Sequence, residues 1–301
     1  MTELSATASV VCPVCKEPTT YVYLDDESAV LSSSRIGSSR ENSAPGRIVR
    51  CQRCQFAFRQ MRSTPEQLRE LYRQMDTAIY ESEVRGRKRT ARVHLKILQR
   101  YIRRGRLLDV GCASGFFLSE AAQAGWSVNG IEPNEALCAQ ARDNLGQGKP
   151  VQCTTLEMAH LDEGGFDAIT LWDVLEHVPD PQSFLQNCRT LLRSDGYLFL
   201  NVPDLDSWPA RVFRTRWPLL LPEHLNYFNR RSLRLCANQA GLRPIQFGRR
   251  WAWFSMRYLG FRLSQHRVPG SALLARIAKG PLGNLTIPLP LGETLAVLRT
   301  A

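Results

Sequence analysis

The chain has 301 residues, of which 44% are hydrophobic and 22% charged, and its formal net charge is +11 at pH 7. The length is enough for one ordinary α/β domain with a small appendage, and the composition, without an extended low-complexity tract, is that of a folded soluble protein. No apolar run approaches the roughly 20 residues that span a bilayer, and the N-terminus lacks the basic start and apolar segment of a secretory signal. We therefore expect a cytoplasmic protein.

The surplus of positive charge favours an anionic partner, namely nucleic acid, an anionic membrane surface or a phosphorylated substrate. Arginine is concentrated in four short runs, at 85–89, 103–106, 211–216 and 249–250. Solvated helix faces explain the same charge without any partner. The surplus by itself therefore selects no function.

Two C-x-x-C pairs lie near the N-terminus, Cys12 with Cys15 and Cys51 with Cys54. Each pair presents two thiolates from one tight turn, and two such turns complete a tetrahedral Zn²⁺ site. A thioredoxin-like redox motif is the alternative, but it begins a helix, whereas these pairs are flanked by β-type sequence. We predict a structural zinc ribbon over residues 8–60 with these four cysteines as ligands. The other five cysteines are expected in the core: Cys112, Cys138, Cys153, Cys188 and Cys236.

Residues 61–104 are predicted to form a helical lead-in to the main domain. A capping box at Thr64 begins a first helix, and Tyr72 and Tyr80 lie in the linker that follows. A second, basic helix is expected over 87–101.

The main domain is predicted to cover residues 105–301 and to alternate strands with helices. The strands are expected at 107–110, 126–131, 166–172 and 196–202, and the helices at 116–124, 134–145 and 181–192. This alternation predicts a parallel sheet that is covered by helices on both faces. Strands at 242–247 and 293–298 are expected to close the sheet as a pair. Substrate-side insertions are expected at about 204–232 and 249–290.

A tight turn with glycines at Gly111 and Gly115 separates the first strand from its helix. Such glycines let the backbone approach a ligand closely, and the helix N-terminus offers free N–H groups. A dinucleotide fold uses a similar turn. Glu132 ends the next strand, about 20 residues on, where an acidic residue accepts hydrogen bonds from ribose hydroxyls. Capping of the helix near Asn134 is the alternative role for Glu132.

In this order, DVGCASG, GIEPN and WDVLEHVPDP resemble class I methyltransferases that use S-adenosylmethionine (SAM). The VLEH-x-x-DP pattern is similar to the branch that contains the ubiquinone-pathway O-methyltransferases. The resemblance covers roughly 105–245 and implies a Rossmann-like, seven-stranded α/β sheet. It also implies eight residues that contact SAM: Asp109, Gly111, Ala113, Gly115, Glu132, Thr155, Leu156 and Asp173.

The resemblance implies a role for each part of this set. Asp109 would orient the amino-acid part of SAM above the glycine turn, and Glu132 would hold the ribose. The segment that begins at Thr155 would lie along the adenine, and Asp173 would lie near the methyl donor. Ala113 replaces a glycine that is usual in the family, which is acceptable if its φ angle is negative. Transfer from a sulfonium needs orientation and, for some acceptors, a base, but no metal.

The segment around His224 follows the fifth strand, where substrate-binding insertions lie in this fold. It is similar to a Glu-His-x-x-Tyr-Phe pattern in sugar C-methyltransferases, which implies His224 as a base, with Glu223 as its orienting partner and Tyr227 beside it. A structural hydrogen-bonding role for His224 is the alternative. His177 is expected to line the active site.

The aromatic insert at 251–263 has three possible roles. It could form a lid over an apolar substrate, or lie on an anionic membrane together with Arg249 and Arg250. It could also be an ordinary packing pair of helices.

The leading hypothesis is methyl transfer from SAM to oxygen or carbon of a small-molecule, sugar or lipid-linked glycan acceptor. The arrangement of ribbon, tyrosine-rich lead-in and catalytic domain resembles that of many bacterial methyltransferases of sugars and secondary metabolites. In them the lead-in packs over the active site, as Tyr80 could here; an ordinary packing tyrosine is the alternative. An RNA methyltransferase is the second hypothesis, because some also combine a zinc ribbon with this fold. No Asn/Asp-Pro-Pro-Tyr motif supports it. A SAM-binding scaffold without catalysis is the third.

Overall fold

The computed structural model describes residues 10–25, 46–60, 67, 70, 83–146, 148, 150–265 and 280–301. The predicted N-cap Thr64 and the linker tyrosines Tyr72 and Tyr80 lie outside these residues. The strands are β1 Thr20–Leu24, β2 Ile48–Cys51, β3 Ala57–Arg59, β4 Arg106–Val110, β5 Ser127–Ile131, β6 Val151–Gln152, β7 Phe166–Leu171, β8 Leu192–Pro203, β9 Asn226–Tyr227, β10 Leu242–Arg249, β11 Ala252–Ser255, β12 Thr286–Leu289 and β13 Glu293–Thr300.

The described helices, numbered from the first that the structure covers, flank these strands. They are α1 Val84–Leu98, α2 Phe116–Gln123, α3 Glu135–Leu145, α4 Pro181–Leu191, α5 Trp208–Phe213, α6 Arg230–Gln239 and α7 Met256–Gln265. The bounds differ from the sequence prediction by a few residues at each end, as expected for element termini. Among the described residues, no helix combines the length and the apolar character needed to cross a bilayer.

The predicted seven-stranded sheet is confirmed, with strand order β10-β13-β8-β7-β4-β5-β6. Strands β4 to β8 are parallel, and β13 runs antiparallel between β8 and β10, which is the expected closing pair. The order reverses between β4 and β7, so the loops after these strands diverge and leave a crevice at their carboxyl ends.

Alternate residues of the strands enter two cores, one on each face of the sheet. Leu107 packs with α1, α2 and α3, whereas its neighbour Leu108 packs with α4 and α6. This is why the buried parallel strands read as nearly continuous apolar runs. Four of the five cysteines expected in the core are buried there, but Cys153 is exposed, so that expectation is wrong for Cys153.

The N-terminal segment forms a second sheet of order β1-β2-β3-β9, in which all neighbours are antiparallel. Its fourth strand, β9, comes from the insertion predicted at about 204–232. Buried ribbon side chains such as Phe56 belong to the same apolar cluster as Phe228 and Leu233 of the main domain. The ribbon therefore shares a sheet and a core with the domain that follows it.

The insertion predicted at about 249–290 contains an antiparallel pair of strands, β11 with β12, and α7 lies between them in sequence. Strand β11 of this pair packs on α1, where the Trp253 N–H donates to Thr90 Oγ1 at 3.0 Å. The buried Glu83 carboxylate accepts from the Ser255 N–H at 2.8 Å and from the Ser255 hydroxyl at 2.6 Å. The described part of the insert is thus a strand pair with one helix, and residues 266–279 lie outside the described residues.

Candidate active site

A cavity of about 870 Å³ opens at the carboxyl ends of β4, β5, β7 and β8. The loops after these strands line it, together with residues of the β11–β12 strand pair, α1 and the 218–224 segment. Seven of the eight residues predicted to contact SAM line it: Asp109, Gly111, Ala113, Glu132, Thr155, Leu156 and Asp173. The structure therefore brings together residues that are up to 64 positions apart in sequence.

The glycine turn after β4 is shaped by close packing. Gly111 has a φ angle of +73°, and a Cβ atom added there would lie 2.7 Å from Val174 Cγ2. Gly115 has a φ angle of +72° and packs against Ala141 of α3, so the turn lies close to this helix. Ala113 has a φ angle of +47°. The expectation of a negative φ is wrong, and the turn holds an alanine in the strained left-handed region, as functional turns often do.

Glu132 is buried and bonded on both oxygens. Its Oε2 accepts from the Ala113 N–H at 2.9 Å, and its Oε1 accepts from the Asn134 N–H at 2.9 Å. Asn134 itself is the N-cap of α3, so the capping role does not fall to Glu132. Burial raises the pKa of Glu132 to about 7. Each oxygen keeps a second lone pair for a ligand hydroxyl.

Asp109 and Thr155 add polar groups to the same cavity. Burial raises the pKa of Asp109 to about 7, although the Thr170 hydroxyl donates to its carboxylate at 2.6 Å. Thr155 precedes a short 3₁₀ turn, Leu156–Met158, and its Oγ1 is buried without a hydrogen-bond partner. A buried hydroxyl without a protein partner is rare in folded proteins and is suited to bind a ligand or an ordered water.

Asp173 follows β7 with a φ angle of +57° and lies in an ion-pair network. Arg250 binds it through two nitrogens at 2.9 Å each, and also binds Glu293 at 2.6 Å. Asn201 donates to both carboxylates, at 2.6 and 2.7 Å. Burial raises the pKa of Asp173, but the Arg250 guanidinium outweighs this and holds that pKa well below its usual range. Burial raises the pKa of Glu293 to about 8.

Arg250 is therefore a residue of the cavity wall and not of a membrane-facing surface, which corrects the alternative that placed it on a membrane. Its side chain is only 11% exposed. Its Nε also donates to His94 Nε2 at 3.3 Å, and the His94 ring stacks on Trp172 at 3.8 Å. No local pattern indicates this network, because its members come from five separate segments of the chain.

Three side chains that line the same cavity form a second cluster: Glu176, His177 and His224. One ligand atom from each lies within 4.8 Å of the others. Glu176 is 1% exposed, its Oε2 has no hydrogen-bond partner, and burial raises its pKa well above the usual value. The two imidazole rings meet edge to face at 4.8 Å.

Both histidines of this cluster are oriented by backbone carbonyls. His177 Nδ1 lies 3.1 Å from Glu223 O, and His224 Nδ1 lies 2.9 Å from Leu219 O. Since a carbonyl only accepts, each Nδ1 carries the proton and each Nε2 keeps a lone pair. Burial lowers the pKa of His177 to about 4, and burial together with His177 lowers that of His224 well below its usual value. Two neutral imidazoles beside a carboxyl group can accept a proton, and they could also hold a divalent cation.

The other two predicted members of this site are arranged differently. The partner that orients His224 is the Leu219 carbonyl, whereas Glu223 contributes its backbone carbonyl to His177. The Tyr227 ring is fully buried in a core cluster with Trp217, and its hydroxyl donates to Leu221 O at 3.2 Å. Tyr227 is not among the residues that line the cavity. Its surroundings favour a packing role.

Comparisons with known proteins bear on this site. A profile described as a methyltransferase domain matches residues 80–246, which is more than half of the chain. The chain belongs to the methyltransferase-domain family. It is 36% identical to a ubiquinone biosynthesis O-methyltransferase of Coxiella burnetii over 114 residues, 36% of this chain and 49% of that protein. It is 42% identical to the Pseudomonas paraeruginosa enzyme of the same name over 99 residues, 32% of this chain and 43% of that protein.

The chain spans about half the length of the curated relatives that it matches. Among solved structures, it is similar to the 1,6-didemethyltoxoflavin N1-methyltransferase of Burkholderia thailandensis, which holds its substrate and S-adenosylhomocysteine. That likeness has a TM-score of 0.51 and 16% identity, and it covers 82% of this chain and 96% of the other. It confirms the class I SAM-dependent methyltransferase fold.

The ribbon of this methyltransferase lies outside the family match. Its four predicted ligands come together, with Cys12 Sγ 3.6 Å from Cys54 Sγ, Cys15 Sγ 3.4 Å from Cys51 Sγ, and all four sulfurs within 4.8 Å. A tetrahedral zinc–thiolate site, with Zn–S bonds of about 2.3 Å, separates its sulfurs by about 3.8 Å. Disulfides would need about 2.05 Å. The sulfurs therefore fit a metal site and not two disulfides.

Proposed function

We propose that this chain transfers a methyl group from SAM to a small-molecule acceptor, at oxygen or carbon. The observation that carries the proposal is that one cavity joins the glycine turn, Glu132 and Thr155 to the cluster of Glu176, His177 and His224. The relatives named as O-methyltransferases favour oxygen as the methylated atom. A sugar or lipid-linked glycan acceptor, contact with an anionic membrane and a cytoplasmic location remain predictions.

Several features of the cavity fit SAM. Gly111 lets the backbone approach a ligand where a Cβ would clash with Val174. The free N–H groups at the start of α2 and the carboxylates of Asp109 and Glu132 suit an amino acid and a ribose. The Thr155 hydroxyl, buried without a partner, suits a purine. When bound, SAM supplies an electrophilic methyl group on a sulfonium.

The chain's own contribution is to orient the acceptor and accept its proton. The cavity lining includes the apolar side chains of Trp253, Phe254 and Leu289, which would bind the carbon skeleton of an acceptor and exclude water. His224 Nε2 is unprotonated and lies beside His177, so it can accept a hydroxyl proton as a general base. Its low pKa keeps it neutral at physiological pH.

The first test is calorimetric binding of SAM, followed by transfer of labelled methyl groups into fractionated cell extract. Label in a small-molecule or lipid fraction supports the proposal. Label in RNA would favour the RNA methyltransferase hypothesis, and binding without transfer would favour the scaffold. Absence of SAM binding would refute the proposal.

The second test concerns the base. His224→Ala should lower kcat by roughly 10²- to 10⁴-fold while SAM affinity stays unchanged. His160→Ala is the matched control, because His160 is exposed and does not line the cavity. Unchanged turnover in His224→Ala would remove His224 as the base. A chelator provides a further check. If it abolishes turnover while the ribbon keeps its metal, the cluster of Glu176, His177 and His224 holds a cation instead of accepting a proton.

A further inference from the structure

We propose that Arg59 of the ribbon is a positioning residue for His224, so that metal binding by the four cysteines supports the catalytic loop. This inference rests on the proposed function in one respect, the role of His224 as the base. The contacts by themselves indicate that the ribbon holds the 219–228 segment in place.

Arg59 contacts the His224 turn on both sides. Its backbone N–H donates to Leu225 O at 2.8 Å, and its guanidinium Nη1 donates to Pro222 O. Pro222 and Leu225 flank the Glu223–His224 pair directly. One ribbon residue therefore holds the two carbonyls that bracket His224.

The strand that carries Arg59 is paired with the same loop. In the β3–β9 pairing, Ala57 lies opposite Tyr227 and Phe58 lies opposite Asn226. Phe56 packs against Phe228, with ring centroids 4.9 Å apart and no exposure of either ring. The ribbon thus continues the sheet of the loop and also shares its core.

The cysteine turns determine where this strand lies. The Cys51 N–H donates to Phe56 O at 2.8 Å, and the Gln55 N–H donates to Cys51 O at 3.0 Å. The Cys51–Cys54 turn therefore leads directly into β3. Because structural zinc contributes folding free energy to the segments that it joins, loss of the metal should loosen β3 and hence the loop paired with it.

The other side of the loop is held by the cavity itself. The Leu225 backbone N–H donates to Glu176 O at 2.7 Å, and the side-chain amide Nδ2 of Asn226 donates to Val178 O at 2.7 Å. The loop is therefore clamped between the Glu176–Val178 segment and the ribbon. Release of the ribbon side should let His224 move relative to Glu176 and His177.

Gly46 makes room for the arginine. Its φ angle is +77°, and a Cβ added there would lie 2.8 Å from Arg59 Nε. Gly46→Ala should therefore displace the guanidinium without removing it, and it provides a second variant that is independent of Arg59→Met.

The experiment compares Arg59→Met with Arg53→Met, a matched control on the same ribbon whose side chain is 67% exposed. For Arg59→Met we expect kcat to fall roughly tenfold or more, since misplacement by about 1 Å can cost 10²-fold. SAM affinity and zinc content should stay at the control's values, and hydrogen exchange of amides 219–228 should become faster. Arg59→Lys, which restores one donor, should recover part of both effects, and Gly46→Ala should reproduce them.

The proposal would be overturned if Arg59→Met and Gly46→Ala both showed the same hydrogen-exchange rates and kcat as the Arg53→Met control. Loss of SAM binding in Arg59→Met would also count against it, since it would show a general defect of folding. The base assignment fails separately. If His224→Ala keeps its turnover, His224 is not the base. The exchange rates of amides 219–228 still decide whether the ribbon positions the loop.

Discussion

Replacement of Arg250 by methionine should destabilise this protein, because Arg250 is the cation between two carboxylates on the cavity wall. Its side chain is 11% exposed and that of Glu293 is 3% exposed. Removing one partner of a buried ion pair costs about 3–5 kcal/mol, since the other charge stays buried. The lower end applies here, about 3 kcal/mol, because water screens charges that remain accessible. Asp173 is such a charge, with its side chain 46% exposed toward the cavity.

A loss of that size should lower the melting temperature by roughly 6–12 °C, at about 2–4 °C per kcal/mol for a domain of roughly 200 residues. Thermal unfolding followed by circular dichroism at pH 7 measures it. Arg249→Met is the matched control, because the adjacent Arg249 is exposed. Adding Asp173→Asn to Arg250→Met should restore part of the loss, since Asp173 is the carboxylate that is ionised at pH 7 and loses its cation, whereas Glu293, with a pKa of about 8, is largely protonated there. Equal melting temperatures for Arg250→Met and Arg249→Met would refute the reasoning.

Three further predictions concern the cofactor site and the ribbon. Gly111→Ala should weaken SAM binding roughly tenfold in calorimetry, because backbone strain of about 1–2 kcal/mol adds to the clash with Val174. Gly164→Ala, which has a positive φ but open space around it, should bind SAM normally, and equal affinities would contradict the role of the clash. SAM affinity should increase as the pH rises through about 7 and then level off. Asp109 and Glu132 accept hydrogen bonds best when ionised, and each has a pKa of about 7. An affinity that does not change from pH 6 to 8 would argue against both as ligand-binding groups. Cys51→Ser should lose bound zinc, measured by elemental mass spectrometry, and lower the melting temperature, and full retention of the metal would contradict the ribbon assignment.

The parts of the site that could be predicted are those with a local signal. The Gly111 turn and Glu132 occur at a strand end, and the position of the next strand end follows from regular alternation of elements. The cysteine pairs carry their own spacing. The φ angle of Ala113 could not be predicted in this way, because an alanine in this turn gives no sign that the turn needs the left-handed conformation.

Other features depend on contacts between distant segments. Arg250 lay within a basic, aromatic stretch that was equally typical of a membrane surface, and only its approach to Asp173 and Glu293 assigns it to the cavity. Glu223 lies next to His224 in sequence, yet the carbonyl that orients His224 belongs to Leu219. Adjacency in sequence does not place two side chains on the same face of a turn.

The amino-acid sequence by itself determined the alternating sheet, the glycine turn and the four-cysteine cluster, because each depends on hydrophobic periodicity or on fixed short spacing. Only the tertiary structure decided that His177 and His224 meet, that Arg250 joins two carboxylates, and that β3 pairs with β9. These contacts join residues from 43 to 170 positions apart in sequence. No local pattern encodes such contacts, since they form only when the packing of whole elements brings their side chains together.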